Sequence, residues 1–228
     1  MISTVRTGVV VQMRLDSTRL PGKALLAIGG TTLAGLVMRR LGGIVADEHI
    51  LATDADGALA LAALAVESGF SVFAGPKDDV LARYAMVAEA FGLGRVMRAT
   101  GDNPFVSLRL ASLAIEAADA AGADYVGLVG MPVGMGIEVI RAGALLRAAA
   151  DATSDYDREH VCPYLYGHPD SFSILRPECP AKYRLPGARV TVDTGEDFRR
   201  AVAIVESLGL DAADEEVLGW LKAERKDG

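Results

Sequence analysis

Cysteine is nearly absent from the 228 residues: Cys162 and Cys179 stand alone, with no Cys-x-x-Cys pair. That excludes a disulfide framework and gives no zinc signature, so two reduced thiols used for packing are expected. Basic residues are outnumbered, with 23 Lys plus Arg against 30 Asp plus Glu and a net charge of −7. Broad nucleic-acid binding wants a basic face, which this balance argues against. No run of about 18 apolar residues escapes interruption by charge, so no membrane span is read. The first residues lack the apolar core of a secretory signal. A soluble cytoplasmic protein is therefore expected. Internal repeats and low-complexity tracts are also missing. Hydrophobic residues still make up 51%, ample for a core.

What is present alternates. Strand-like runs (Val9 to Met13, His49 to Thr53, Ser71 to Ala74, Arg95 to Ala99, Asp124 to Val129, Ile137 to Ile140) are interleaved with helix-like ones. The helical stretches run from Thr31 or Thr32 to Leu41, Asp56 to Ser68, Asp78-Asp79 to Phe91 and Leu108 to Ala121. Such alternation predicts an α/β fold, a mostly parallel sheet with helices on both faces. The length suits one domain over residues 1–228. From Arg141 the pattern changes: helix over Ala142 to Ala152, helix over Tyr156 to Gly167, strand-like Phe172 to Leu175, then an irregular, proline-bearing stretch to Pro186. Arg189 to Val192 reads as a strand, followed by helices to Leu208 and over Asp214 to Glu224.

The most informative segment follows the first strand: Arg14-Leu15-Asp16-Ser17-Thr18-Arg19-Leu20-Pro21-Gly22-Lys23. Ligands bind at the carboxyl ends of strands in open α/β sheets. Arg14, Arg19 and Lys23 offer charge and forked donors, and Ser17 and Thr18 offer short neutral ones, which together suit a polyphosphate. This is not a Walker A loop, because Ser17 and Ala24 stand where that motif needs Gly and a hydroxyl. Nor is it a Gly-x-Gly-x-x-Gly dinucleotide turn. A nucleoside triphosphate clamp is the expectation.

Two acidic turns close other strands, Thr100-Gly101-Asp102 and Val192-Asp193-Thr194. A triphosphate site needs Mg²⁺, which takes one or two carboxylates and completes its shell with phosphate oxygens and water. Asp102 and Asp193 fit that need, although either can instead cap the helix that follows. Asp197 lies one turn further and can serve the same ion or only the helix dipole. Arg83 can face phosphate or base, or lie on a solvated helix face. His160 reads first as a structural or interface histidine, with a general-base role as the alternative. Asp54-Ala55-Asp56 has the spacing of a sugar-nucleotide metal motif but precedes an ordinary helix.

Taken together, Gln12 to Lys23, Gly75 to Tyr84, Arg98 to Pro104, Arg158 to Val161 and Val190 to Asp197 resemble the cytidylyltransferase family, in the family's order. Within it the chain is most similar to the spore coat polysaccharide biosynthesis protein F branch. Thr100 stands where the octulosonate enzymes carry Gln, which favours that branch. The resemblance implies a nucleotide-diphospho-sugar transferase fold with one CTP site. It places Arg14, Ser17, Thr18, Arg19 and Lys23 on the triphosphate, Arg83 and Thr100 near the nucleotide, and Mg²⁺ on Asp102 and Asp193. It further implies CMP transfer from CTP to a small acidic acceptor lying against Glu138 and His160, with pyrophosphate released. A homodimer follows by the same resemblance, with residues 141–186 as an inserted acceptor or dimerisation region. Other readings stay open at this point: another triphosphate used on a sugar phosphate, or a non-catalytic nucleotide-binding subunit.

Overall fold

A computed structural model describes residues 5–227. Its order is β1 (Thr7–Gln12), β2 (Ala27–Ile28), β3 (Thr31–Thr32), α1 (Leu33–Leu41), β4 (Glu48–Thr53), α2 (Ala55–Glu67), β5 (Ser71–Ala74), α3 (Val80–Ala90) and β6 (Arg95–Thr100). Then come α4 (Leu108–Ala121), β7 (Tyr125–Gly127), β8 (Glu138–Arg141), α5 (Ala142–Asp151), α6 (Asp155–His160), α7 (Pro163–Gly167), β9 (Ile174–Leu175), α8 (Gly195–Leu208) and α9 (Asp214–Asp227). Seven strands form the main sheet in the order β5-β4-β1-β6-β8-β7-β9. All pairings are parallel except those of β8, which runs antiparallel to both β6 and β7.

Side-chain alternation along β1 explains why both faces are covered. Val9, Val11 and Met13 enter one buried cluster, which also takes Leu36 of α1 and Leu110 of α4. Val10 enters another on the opposite face, with Leu81 and Tyr84 of α3 and Leu145 of α5. A strand buried on both faces reads as a continuous apolar run, as this one does. Beyond Val10 on its face comes Gln12, and beyond Val96 of β6 come Arg98 and Thr100. The core gives way to polar groups at the carboxyl ends, where the chain turns left to β4 and right to β6. That reversal makes the crevice in which ligands bind.

Helix starts are capped by short polar side chains. Thr32, Asp54, Asp79 and Ser107 each accept from a backbone N–H three residues on, at 3.1, 2.7, 2.9 and 3.1 Å, satisfying donors the helix leaves orphaned. Asp54 is thus a cap, as its ordinary helical context suggests. At α8 the cap is Thr194, with Asp197 returning a bond to the Thr194 N–H in a capping box.

The sequence reading is corrected in two places and extended in a third. Residues 189–192 are extended but form no strand. A single bridge joins Arg189 to Val133, and the Val190 and Val192 N–H groups donate to the Val133 and Asp102 carbonyls, both at 2.8 Å. The segment runs beside loops, which offer no ladder. The stretch from Tyr156 to Gly167 breaks into α6 and α7 at Val161, whose φ of 70° no helix accepts. Pro163 starts the second helix, where its missing N–H costs nothing. Finally, Gly29-Gly30, both at positive φ, close a small hairpin of β2 and β3 before α1. Two residues with positive φ are what a tight hairpin turn demands.

Asp197 is buried, which opposes its charge, yet bonds from the Thr194 hydroxyl and N–H and the Asp193 N–H outweigh that and hold its carboxyl below the usual range. A lowered folded pKa stabilises above the unfolded value and is lost as pH falls through the folded one. Asp197→Asn should therefore cost about 1 kcal/mol at neutral pH and flatten the loss of stability below about pH 4. Urea midpoints at pH 7 and pH 3 check this; equal midpoints for both proteins at pH 7 would contradict it.

Candidate active site

The loop after β1 is folded on itself by two backbone bonds, Gly22 N–H to the Leu15 carbonyl at 2.9 Å and Lys23 N–H to Leu20 at 3.2 Å. Gly22 has φ 67° and ψ 15°, the third residue of a turn that puts Pro before Gly. The closed loop delivers Lys23 inward. Its side chain is only 14% exposed, and its ammonium donates to the Val192 carbonyl at 2.7 Å. The same nitrogen lies 3.4 Å from Asp102 and 3.5 Å from Asp193. Residues 23, 102 and 193, far apart in sequence, meet at one point.

Backbone geometry enforces the meeting. Gln12 and Thr100 are register partners on β1 and β6, and the Gly101 N–H donates to the Gln12 carbonyl at 2.8 Å. A Cβ on Gly101 would stand 2.2 Å from Met13 Cγ and 2.9 Å from the Gln12 oxygen, so the close crossing requires glycine. The Val192 N–H bond to Asp102 then pins the second acidic turn beside the first. Asp193 is held by three cations: Lys23, Arg19 at 3.0 Å and Arg189 at 2.5 Å. Arg189 is fixed in turn by the Thr191 hydroxyl. Asp197 spends its carboxylate on the helix cap and stands outside this cluster.

Two cavities open here. The first, about 390 Å³, is lined by Arg14, Ser17, Thr18, Arg19 and Lys23 with Asp102, Asp193 and His160. The second, about 360 Å³, lies against β7, β8 and the glycine-bearing turn from Gly127 to Gly136. Arg98 and Thr100 line both, so the two share a wall. Arg14 lies 3.7 Å from Asp16 and from Glu159. Lys77 pairs with Asp16 at 2.8 Å, and that bond is the main reason the Asp16 carboxyl sits below its usual range.

Glu138 and His160 do not share a surface. Glu138 borders the second cavity and His160 the rim of the first, where its ring meets Tyr156 edge-on at 4.5 Å. Glu138 is instead the centre of a largely buried network: it pairs with Arg98, accepts from the Tyr125 hydroxyl at 2.7 Å and from the Cys162 thiol. Burial favours its neutral form, but Arg98 and these donors win and lower its pKa. Burial and the Glu138 charge push the Tyr125 hydroxyl and Cys162 thiol up, so both stay protonated donors. Arg98 also reaches Gln12 at 3.2 Å and lies over the Tyr84 ring at 5.8 Å. The Val161 kink that presents Cys162 closes with a bond from its N–H to the His160 carbonyl at 2.9 Å, a tight positive-φ turn that costs a β-branched residue strain.

Several site residues carried no signal strong enough to single out. Arg189 opens a segment that reads as an ordinary strand, and Asn103 is indistinguishable from a turn residue, yet its Nδ2 donates to Thr100 at 2.8 Å while its Oδ1 is buried without a partner among the described residues. Arg98 was legible in principle, since a charge in a buried strand is rare without a reason. Arg83 is not on a solvated face: its side chain is fully enclosed.

A family model described as Cytidylyltransferase matches residues 8–216. The chain is 34% identical over 207 residues, 88% of its length and 86% of the relative's, to the spore coat polysaccharide biosynthesis protein SpsF of Bacillus subtilis. A solved cytidylyltransferase from Leptospira borgpetersenii superposes with a TM-score of 0.88 at 25% identity, covering 98% and 96% of the two chains. A CMP:2-keto-3-deoxy-manno-octonic acid synthetase solved with CTP shares the fold, with a TM-score of 0.69 at 17% identity over 89% of this chain and 99% of that one. With the model spanning nearly every element of the sheet, this chain belongs to the cytidylyltransferase family of CTP-dependent nucleotidyltransferases.

Proposed function

We propose that the chain transfers CMP from CTP to a sugar acid or related small acid in surface polysaccharide or glycoconjugate precursor synthesis. The observation that carries this reading is the meeting of Lys23, Asp102 and Asp193 in the first cavity, whose wall of Arg98 and Thr100 is shared with the second. The first cavity has the cations and hydroxyls for a triphosphate. The second sets a few polar groups in a glycine-rich and apolar lining, which suits a small hydroxylated acceptor: the orphaned Asn103 Oδ1 can take a hydroxyl, and Arg176, over the Tyr166 ring at 5.5 Å, has no ion-pair partner among the described residues.

In the reaction an acceptor hydroxyl gives up its proton to solvent as its oxygen bonds to the α-phosphorus, while the bond from that phosphorus to the bridging oxygen breaks and pyrophosphate departs with the electron pair. Positioning and charge neutralisation supply most of the acceleration in such chemistry. Arg14, Arg19 and Lys23 hold the departing pyrophosphate. Ser17 and Thr18 add donors to the phosphates, and Thr100 faces both reactants. Mg²⁺ fits the donor set. Among the described residues no three His, Cys, Asp or Glu side chains converge, so protein supplies two carboxylates, Asp102 and Asp193, and phosphate oxygens and water complete the shell, as this ion prefers. When bound it would polarise the α-phosphate. Glu138 acts by holding Arg98 and Tyr125 in the acceptor wall, and His160 stands at the nucleotide rim. No helix among the described residues is long and apolar enough to cross a membrane. A second copy of the chain would seat on residues 141–186, which carry the exposed rings of Tyr156 and Tyr166.

An acceptor screen with CTP and Mg²⁺, read by the mass of the CMP conjugate, tests the reaction; pyrophosphate released faster from UTP or GTP than from CTP would overturn it. Asp102→Ala and Lys23→Met should each lower kcat by roughly 10²–10³-fold or more with folding unchanged by circular dichroism. A near-normal rate for Asp102→Ala would remove the metal assignment. Arg176→Ala should raise the acceptor KM about tenfold while leaving the CTP KM alone; an unchanged acceptor KM would take Arg176 out of the site.

A further inference from the structure

Asp193 divides its carboxylate between two sets of cations. Its Oδ1 lies 3.0 Å from Arg19 and 3.5 Å from Lys23. Its Oδ2 takes Arg189 at 2.5 Å and lies 3.5 Å from the Thr191 hydroxyl. Arg19 and Lys23 line the first cavity, whereas Arg189 lines neither of the two. The first pair can pass to a triphosphate, and the third cation belongs to the carboxylate alone.

The extended run 189–193 produces this division. Successive side chains of extended backbone point to opposite sides, so Val190 and Val192 enter the core while residues 189, 191 and 193 share the other side. Arg189 spans that spacing with its fork. Its Nε and Nη2 donate to the Thr191 hydroxyl at 3.0 and 2.6 Å, and Nη2 also donates to Asp193. Thr191 is only 9% exposed, so the fork is clamped at its base. The backbone is fixed as well. The Val133 N–H donates to Ala188 at 2.9 Å and the Val190 N–H to Val133 at 2.8 Å, and Arg200 donates to the Arg189 carbonyl at 3.3 Å. A Cβ on Gly134 would stand 2.9 Å from Thr191 Cγ2, so the neighbouring turn closes against the clamp. A lone exposed ion pair holds weakly; this one is tied at both ends.

We propose that Arg189 is a positioning residue: with Thr191 it keeps Asp193 Oδ2 occupied, so that Asp193 offers Mg²⁺ its Oδ1 alone. This rests on the assignment of Mg²⁺ to Asp102 and Asp193 above. A triphosphate draws Arg19 and Lys23 from Oδ1, and the carboxylate does not swing after them because Arg189 holds the other oxygen. Mg²⁺ demands near-ideal octahedral geometry, which a carboxylate chelating through both oxygens would distort. Side chains that orient a metal's ligands typically cost roughly 10–100-fold in metal affinity when removed.

The test is calorimetric binding of α,β-methylene-CTP, whose α–β bridge cannot be cleaved by this reaction, to the full chain in Mg²⁺ and in EDTA. Mg²⁺ should tighten binding to the wild type. Arg189→Met should cut that gain about tenfold or more and leave the affinity in EDTA unchanged. Arg189→Lys keeps the charge without the fork and should recover only part of the gain. Adding Arg189→Met to Asp193→Asn should cost nothing further, since both changes act through one carboxylate. An undiminished gain in Arg189→Met, full recovery by Arg189→Lys, an equal loss in EDTA or an additive double variant overturns the assignment. Should Arg189→Met fail to fold, Thr191→Val decides, because it removes the clamp and keeps the volume: an undiminished gain there overturns it too. If Asp193→Asn alone keeps the wild-type gain, the metal reading falls and takes this proposal with it. If Asp193→Asn loses the gain while Arg189→Met keeps it, only the positioning role falls.

Discussion

A single ammonium group organises the site. Lys23 donates to the Val192 carbonyl and lies between the Asp102 and Asp193 carboxylates. Without a cation there, two carboxylates brought together by separate turns would repel one another. With it, the closed loop after β1, the Gly101 crossing and the extended segment before α8 become one surface. Partly buried charge of this kind is screened less than an exterior pair, which is why the arrangement can set geometry as well as balance charge. The neighbouring cations on Asp193 extend the same logic outward to solvent.

The core supplies the rigidity that this arrangement needs. Strands β1 and β6 are buried on both faces, and the polar side chains begin where the apolar alternation ends, at Gln12, Arg98 and Thr100. Tyr84 ties the two strands from below, its one hydroxyl hydrogen shared between the carbonyls of Val10 at 3.2 Å and Ala99 at 3.0 Å. The Arg98–Glu138–Tyr125–Cys162 network then carries the order of the sheet into the second cavity. Both cavities are thus anchored on β6, sharing Arg98 and Thr100.

Much of this was legible in the sequence because it rests on local chemistry. Alternating apolar runs pointed to the mostly parallel sheet, and a cationic loop after the first strand of an otherwise acidic chain pointed to the loop that lines the first cavity. The acidic turns were readable because strand ends converge in such sheets. What was not legible depends on long-range contact. Residues 189–192 have the composition of a strand, but only the fold shows that loops, not a ladder, lie beside them. Glu138 and Cys162 look unrelated in sequence, and the positive φ of Val161 is what brings that region against β8. Arg83 read equally well as a solvated helix residue, since burial of a charge leaves no trace in composition.

The account is tested most directly by anomalous diffraction from crystals grown with CTP and Mn²⁺ as a stand-in for Mg²⁺. It predicts one ion contacting Asp102, Asp193 and a phosphate oxygen, with Lys23 moved from between the carboxylates onto the phosphates. An ion bound elsewhere, with Lys23 still bridging the two aspartates while CTP is in place, would contradict it.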